Sequence, residues 1–192
     1  DIYMEKIAIG RNLPSDVIDL NNSVKKNISN LAKAKKCLIS DLIICILARN
    51  RHIETIKKIR EAGAKVKLIE DGDISAVIST SIGDVDMYIG IGGAPEGVLA
   101  AAALKTLGGQ ITARLIFDNE SDIKRAKSMG INDLNYHYRL DDLVRDDVIF
   151  AATGVTDGEL LKGVKKSNGF TTNTILLDSK TKSSRIITNQ II

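Results

Sequence analysis

The chain has 192 residues, 44% of them apolar, enough to bury the core of one domain, taken here as 1–192. Its 27 lysines and arginines stand against 24 aspartates and glutamates, and the interspersed charges leave a net +3, which argues against nucleic acid as a partner. Apolar runs such as 42–48 are too short to cross a bilayer and the first six residues do not form a signal peptide, so a soluble, cytoplasmic protein is expected.

Residues 2–9 alternate imperfectly and stop at Gly10, which predicts a strand or an edge segment. Asn22 or Ser23 can cap a helix running to about Lys36, in which Val24, Ile28 and Leu31 recur at helical spacing. Residues 42–47 are a continuous apolar run, the pattern of a strand buried on both faces, and end in Arg49-Asn50-Arg51-His52. A helix over 53–62 follows, closed by Gly63. The next strand, 66–69, ends in Glu70-Asp71-Gly72-Asp73 and leads to a helix over 74–79. A third apolar run, 85–91, is broken only by Asp86. It enters Gly90-Ile91-Gly92-Gly93-Ala94-Pro95-Glu96-Gly97 and then an Ala/Leu-rich helix over 98–107. Strand 111–117, helix 122–129 and an irregular stretch with Tyr136-His137-Tyr138 and Asp141-Asp142 come next. Strand 148–152 runs into Thr153-Gly154-Val155-Thr156-Asp157-Gly158, and 171–177 and 185–191 read as a hairpin across a polar turn. Cys37 and Cys45 lack metal-type spacing and read as reduced structural thiols. Position 1 is Asp, and the chain opens directly on a strand-like phrase, which suggests a piece of something longer.

Alternating buried strands and helices imply an α/β fold, a largely parallel sheet with flanking helices and a C-terminal antiparallel hairpin. Ligands of such sheets bind beyond the carboxyl ends of the strands, so 49–52, 71–73, 92–97 and 153–158 are expected along one edge. A glycine-dense turn into a helix leaves N–H groups that attract anions, and Glu96 in the first helical turn then calls for a cation between the two negative charges. The plainer account of Glu96 is its interaction with the helix dipole, worth ~0.3–1 kcal/mol. Pro95 stands where a dinucleotide loop needs its third glycine, and no Gly-Lys-Ser/Thr exists for a nucleoside-triphosphate loop. Arg49 and Arg51 would project to one side of an extended segment and suit phosphate oxygens, or else are two solvated loop arginines. His52 reads as a cap or packing residue. Asp71 and Asp73 flank a glycine in a shape suited to sugar hydroxyls or a hard cation, although Asp73 would serve equally as a helix cap. Asp157 could bind a ligand, but a tight turn beside Gly158 accounts for it. Phosphate chemistry assisted by a divalent cation would use these groups together.

The stretches beginning Tyr3-Met4-Glu5-Lys6-Ile7-Ala8, Arg49-Asn50-Arg51-His52, Asp71-Gly72-Asp73, Gly90 to Val98 and Gly154-Val155-Thr156-Asp157-Gly158 occur in an order that resembles the class II fructose-1,6-bisphosphatases of the GlpX type. The resemblance implies an inositol-monophosphatase-like sugar phosphatase that removes the 1-phosphate of fructose 1,6-bisphosphate in gluconeogenesis with manganese or magnesium (Mn2+ or Mg2+). Some members also take sedoheptulose 1,7-bisphosphate, and a homo-oligomer is expected of the complete enzyme. It assigns Glu96 to the metal, and Tyr3, Arg49, Asn50, Arg51, Asp71, Asp73 and Gly93 to the substrate. Asn50 departs from the proline or threonine common between the arginines. The family's N-terminal region, source of most metal-binding carboxylates, has no counterpart in the chain, so no catalytic residue is assigned. The alternative reading is a non-catalytic sugar-phosphate-binding module.

Overall fold

The apolar runs become the interior strands of a six-stranded sheet in the computed structural model, which describes residues 2–167 and 169–191. Asp1, Asn168 and Ile192, included in the 1–192 assignment, lie outside the described residues. In chain order the first half comprises β1 (Tyr3–Ile9), α1 (Val24–Lys35), β2 (Ile43–Leu47), α2 (Ile53–Glu61), β3 (Lys65–Ile69), α3 (Asp73–Ile82) and β4 (Met87–Gly93). Then come α4 (Ala94–Leu107), β5 (Gln110–Ile116), α5 (Glu120–Ser128), β6 (Tyr138–Arg139), α6 (Leu140–Leu143), β7 (Ile149–Thr153), β8 (Lys165–Lys166), β9 (Phe170–Asp178) and β10 (Ser183–Ile191).

The sheet order is β3-β2-β4-β1-β5-β6. Because β2 pairs parallel with both β3 and β4, while β1 pairs antiparallel with β4 and β5, four strands point one way and β1 and β6 the other. The expected largely parallel direction holds, but β1 is a central strand, not an edge. Its side chains explain the place. Ile7 and Ile9 pack with Ile28, Leu31 and Ile59 of α1 and α2, whereas Ala8 on the opposite face packs with Val77 and Leu104 of α3 and α4. A strand apolar on both faces is stable only with helices on both.

Local signals set the helix starts. Ser23 accepts a hydrogen bond from the Lys26 amide at 3.2 Å and begins α1. Asn119 does the same for α5 through the Asp122 amide. The alanines at 100–103 of α4 are buried all round, because this helix is covered by a second sheet as well as by the first. That second sheet, ordered β10-β9-β7 with β8 also on β9, is antiparallel throughout. The strand predicted over 148–152 therefore belongs not to the main sheet but to this one. Phe150, Ile175 and Leu177 project from it onto Ile78, Ala102 and Ala103, and the layers run helix, sheet, helix, sheet. Both cysteines are free. Among the described residues no helix is long and apolar enough to cross a membrane.

Candidate functional site at the strand ends

Strands β3, β2 and β4 end side by side in one direction, and antiparallel β1 begins at the same edge, with Tyr3 in register opposite Gly93. This geometry brings the segments after β2, β3 and β4 together with Tyr3. Residues 153–158 reach the flank of the same edge, where Thr153, Thr156 and Asp157 share a cleft of about 720 Å³ with Asp71 and Gly72. Asp157 itself is occupied by its own turn. Its carboxylate pairs with Lys165 and accepts from the Gly163 amide, and these contacts, Lys165 first, hold its pKa below the usual range.

The glycine phrase is not a loop. β4 continues through Gly93 and α4 starts at Ala94, whose amide donates to the Ile2 carbonyl at 3.0 Å. The glycines instead make room for side chains from neighbouring elements. A Cβ on Gly92 would lie 2.7 Å from Asp73 Oδ2 and 3.3 Å from Lys6 Nζ, and one on Gly97 would lie 2.6 Å from Met4 Sδ. Of the N–H groups expected to be bare there, that of Ala94 is taken by the Ile2 carbonyl and Pro95 has none.

Asp73 is not the cap of α3. Gly72, with φ of +85°, takes that position, since a left-handed conformation favours glycine, and Asp73 becomes the first helical residue. Its carboxylate turns inward to Lys6 at 3.0 Å, and Lys6 also donates to the Gly93 carbonyl at 3.0 Å. Lys6 is 1% exposed. Sequence reasoning gave this lysine no role; its signal was a charge between Met4 and Ala8 on one face of the strand. Asp71, exposed, accepts from the Gly72 amide.

Arg49 and Arg51 do not form one fork. Asn50–His52 is a 3-10 turn rather than an extended segment, so residues two apart no longer share a side. Arg49 reaches toward β3, donating to the carbonyls of Ala48 and Glu70, with the Glu70 carboxylate 3.7 Å away. Arg51 reaches toward β4, giving Nε and Nη2 to the Ile91 carbonyl at 3.1 and 2.9 Å, and its guanidinium sits 5.2 Å from the Tyr3 ring centroid. Both arginines remain exposed, as does Asn50. His52 stands at the N-cap position of α2, but its side chain makes no capping hydrogen bond there and serves instead as a buried strut. Nδ1 lies 2.8 Å from the Leu47 carbonyl and Nε2 accepts from the Ile91 amide at 2.8 Å. Burial lowers its pKa, outweighing the hydrogen bond to Leu47, and the nearby Arg51 charge adds to the lowering.

Glu96 is exposed in the first turn of α4, and its carboxylate folds over Gly93 so closely that a Cβ there would lie 2.0 Å from Oε2. It accepts no side-chain hydrogen bond from the described residues. A hard divalent cation takes about six oxygen ligands. Among the described residues no group of three or more His, Cys, Asp or Glu is placed to hold an ion, so these side chains do not build a metal centre by themselves. Glu96 offers one carboxylate.

Fold and edge together define an α/β protein with a mixed-charge polar edge at the carboxyl ends of three parallel strands, the place where ligands of such sheets bind. The family described as "Bacterial fructose-1,6-bisphosphatase, glpX-encoded" matches residues 1–191. The chain belongs to that family. It is 43% identical to the class 2 fructose-1,6-bisphosphatase of Haemophilus influenzae, over 97% of this chain and 61% of that protein. It is 36% identical to the "D-fructose 1,6-bisphosphatase class 2/sedoheptulose 1,7-bisphosphatase" of Trichodesmium erythraeum, over 97% and 59%. A similarly named protein of Acaryochloris marina is 37% identical, over 97% and 58%. The chain thus spans about three fifths of the length of the curated relatives it matches.

Proposed function

We propose that this chain is the sugar-phosphate-binding part of a metal-dependent class II fructose-1,6-bisphosphatase, in which water displaces the 1-phosphate of fructose 1,6-bisphosphate to leave fructose 6-phosphate and inorganic phosphate. The observation that carries the reading is the family match over 1–191, in a chain whose exposed Tyr3, Arg49, Asn50, Arg51 and Asp71 lie at one sheet edge with Asp73 and Gly93. Arg49 and Arg51 would trade backbone carbonyls for phosphate oxygens, a stronger, charge-assisted pairing. Asp71 and Asp73 accept from sugar hydroxyls, and Tyr3 packs beside the Arg51 end. Glu96 contributes one ligand to manganese or magnesium, which when bound neutralises charge developing on the phosphate. Sedoheptulose 1,7-bisphosphate is a second substrate, by analogy with the relatives named for it. The setting is cytoplasmic gluconeogenesis, with the complete enzyme a homo-oligomer.

Calorimetry with fructose 1,6-bisphosphate tests the site, and phosphate release with manganese tests the chemistry. The expected result is binding by the chain, with release, abolished by EDTA, only where further carboxylates complete the donor set. Release by the chain alone would contradict the incomplete donor set. A second reading, a binding module without catalysis, is favoured by the lack of a three-ligand group among the described residues. It predicts binding but no release even in the longest form of the protein. Absence of binding would overturn both.

A further inference from the structure

A lysine ammonium is costly to bury, and a methionine would fill the same space in an apolar layer without that cost. Lys6 is nevertheless almost completely enclosed, on the face of β1 that meets α3 and α4. Its surroundings are built around the charge. Nζ donates to Asp73 Oδ2 at the start of α3 and to the Gly93 carbonyl at the end of β4, each at 3.0 Å. Gly92 lacks the side chain that would intrude on the pair: a Cβ there would lie 2.7 Å from Asp73 Oδ2 and 3.3 Å from Nζ. The Asp73 side chain is 12% exposed against 1% for Lys6, so the pair is asymmetric: the ammonium lies inside and the carboxylate at the rim. With Oδ2 held, Oδ1 accepts no hydrogen bond from the described residues and stays open to a donor from outside. The Gly93 end of β4 is pinned by the same ammonium, and Glu96 folds over Gly93.

We propose that Lys6 is a positioning residue for the sugar end of the ligand, an inference that rests on reading this edge as a sugar-bisphosphate site. Lys6 touches no ligand. It fixes the direction in which Asp73 presents its free oxygen and the height of the strand end at Gly93. The arginines that grip phosphate hang from other partners, the carbonyls of Ala48, Glu70 and Ile91, and do not depend on it. Sugar recognition and phosphate recognition are therefore separable by a change at Lys6.

The test compares wild type, Lys6→Met and Lys105→Met, each verified as folded by circular dichroism. Lys105 is also a bonded, half-buried lysine, donating to the carbonyls of Val144 and Arg145, but it lies away from the strand-end edge. Affinity is measured by calorimetry for fructose 1,6-bisphosphate and for inorganic phosphate. In Lys6→Met the sugar bisphosphate is expected to bind roughly 10- to 100-fold more weakly, the scale of a loss from misplaced positioning groups, with phosphate affinity unchanged within about two-fold. Lys105→Met should change neither affinity. Should Lys6→Met fail to fold, Lys6→Gln, which keeps a donor, is read by the same pair of ligands. Equal loss for both ligands, or no loss for either, overturns the positioning role while leaving the site itself intact. If wild type binds neither ligand, the sugar-bisphosphate reading falls and this inference with it.

Discussion

Arg51 shows how a residue expected from sequence acquires a different job from its surroundings. Its fork holds the Ile91 carbonyl and covers Tyr3, so its position is preset by β4 and β1 rather than by its neighbour Arg49. A charge-assisted hydrogen bond is worth ~1.5–3 kcal/mol, so Arg51→Ala should weaken fructose 1,6-bisphosphate binding roughly 10- to 150-fold in calorimetry. Unchanged affinity would remove Arg51 from the phosphate grip. His52 offers a prediction in pH. Nε2 already accepts from the Ile91 amide, and burial depresses the pKa, so the folded protein resists a proton that the unfolded chain takes up below about pH 6.5. Its contribution to stability is complete above that pH and is lost as pH falls toward the folded value, at up to about 1.4 kcal/mol per pH unit. Denaturant midpoints between roughly pH 7.5 and pH 5 should therefore fall more steeply in wild type than in His52→Gln. An equal slope would mean that His52 takes up its proton equally in both states. Burial pushes the Cys45 thiol up to about 11, so it stays protonated at neutral pH and is no candidate nucleophile.

Among elements, the junction of β4 with α4 departs most from expectation. Glycine density reads in sequence as a loop, because glycine is most often needed for unusual backbone angles; here Gly90, Gly92 and Gly93 lie in a strand, with no left-handed φ among them. Their reason is clearance for side chains from β1, the 3-10 turn at His52, α3 and α4, and only tertiary neighbours reveal that. Two substitutions separate the uses of glycine. Gly92→Ala forces a Cβ to 2.7 Å from Asp73 Oδ2 and should cost about 1–3 kcal/mol, as overpacking does. Gly158, also in a glycine-rich phrase, has its nearest atom at 3.7 Å, and Gly158→Ala should fall within about 0.5 kcal/mol of wild type. Urea denaturation of the two variants checks the contrast, and equal costs would refute the clearance argument.

For the molecule as a whole, the decisive feature is that α3 and α4 are shared between two sheets. Phe150 of β7 is 7% exposed in the cluster that joins the layers. Phe150→Ala should cost ~3–5 kcal/mol. Hydrogen exchange should then show amides of β7 and β9 losing protection before those of β2 and β4; simultaneous loss would make the two sheets one cooperative unit.

Read alone, the sequence determined the α/β alternation, most strand and helix positions, a cap for α1 at Asn22 or Ser23, and the loops that meet at one sheet edge. These rest on periodicity, capping chemistry and the direction of parallel strands, all of them local or nearly so. Tertiary structure decided the rest: the central place of β1, the transfer of β7 to a second sheet, the divergence of the arginines and the burial of Lys6 against Asp73. Strand order and buried ion pairs depend on contacts between residues far apart in the chain, 67 positions in the case of Lys6 and Asp73. No local pattern encodes such a contact, because its stability comes from the enclosure that the other layers provide.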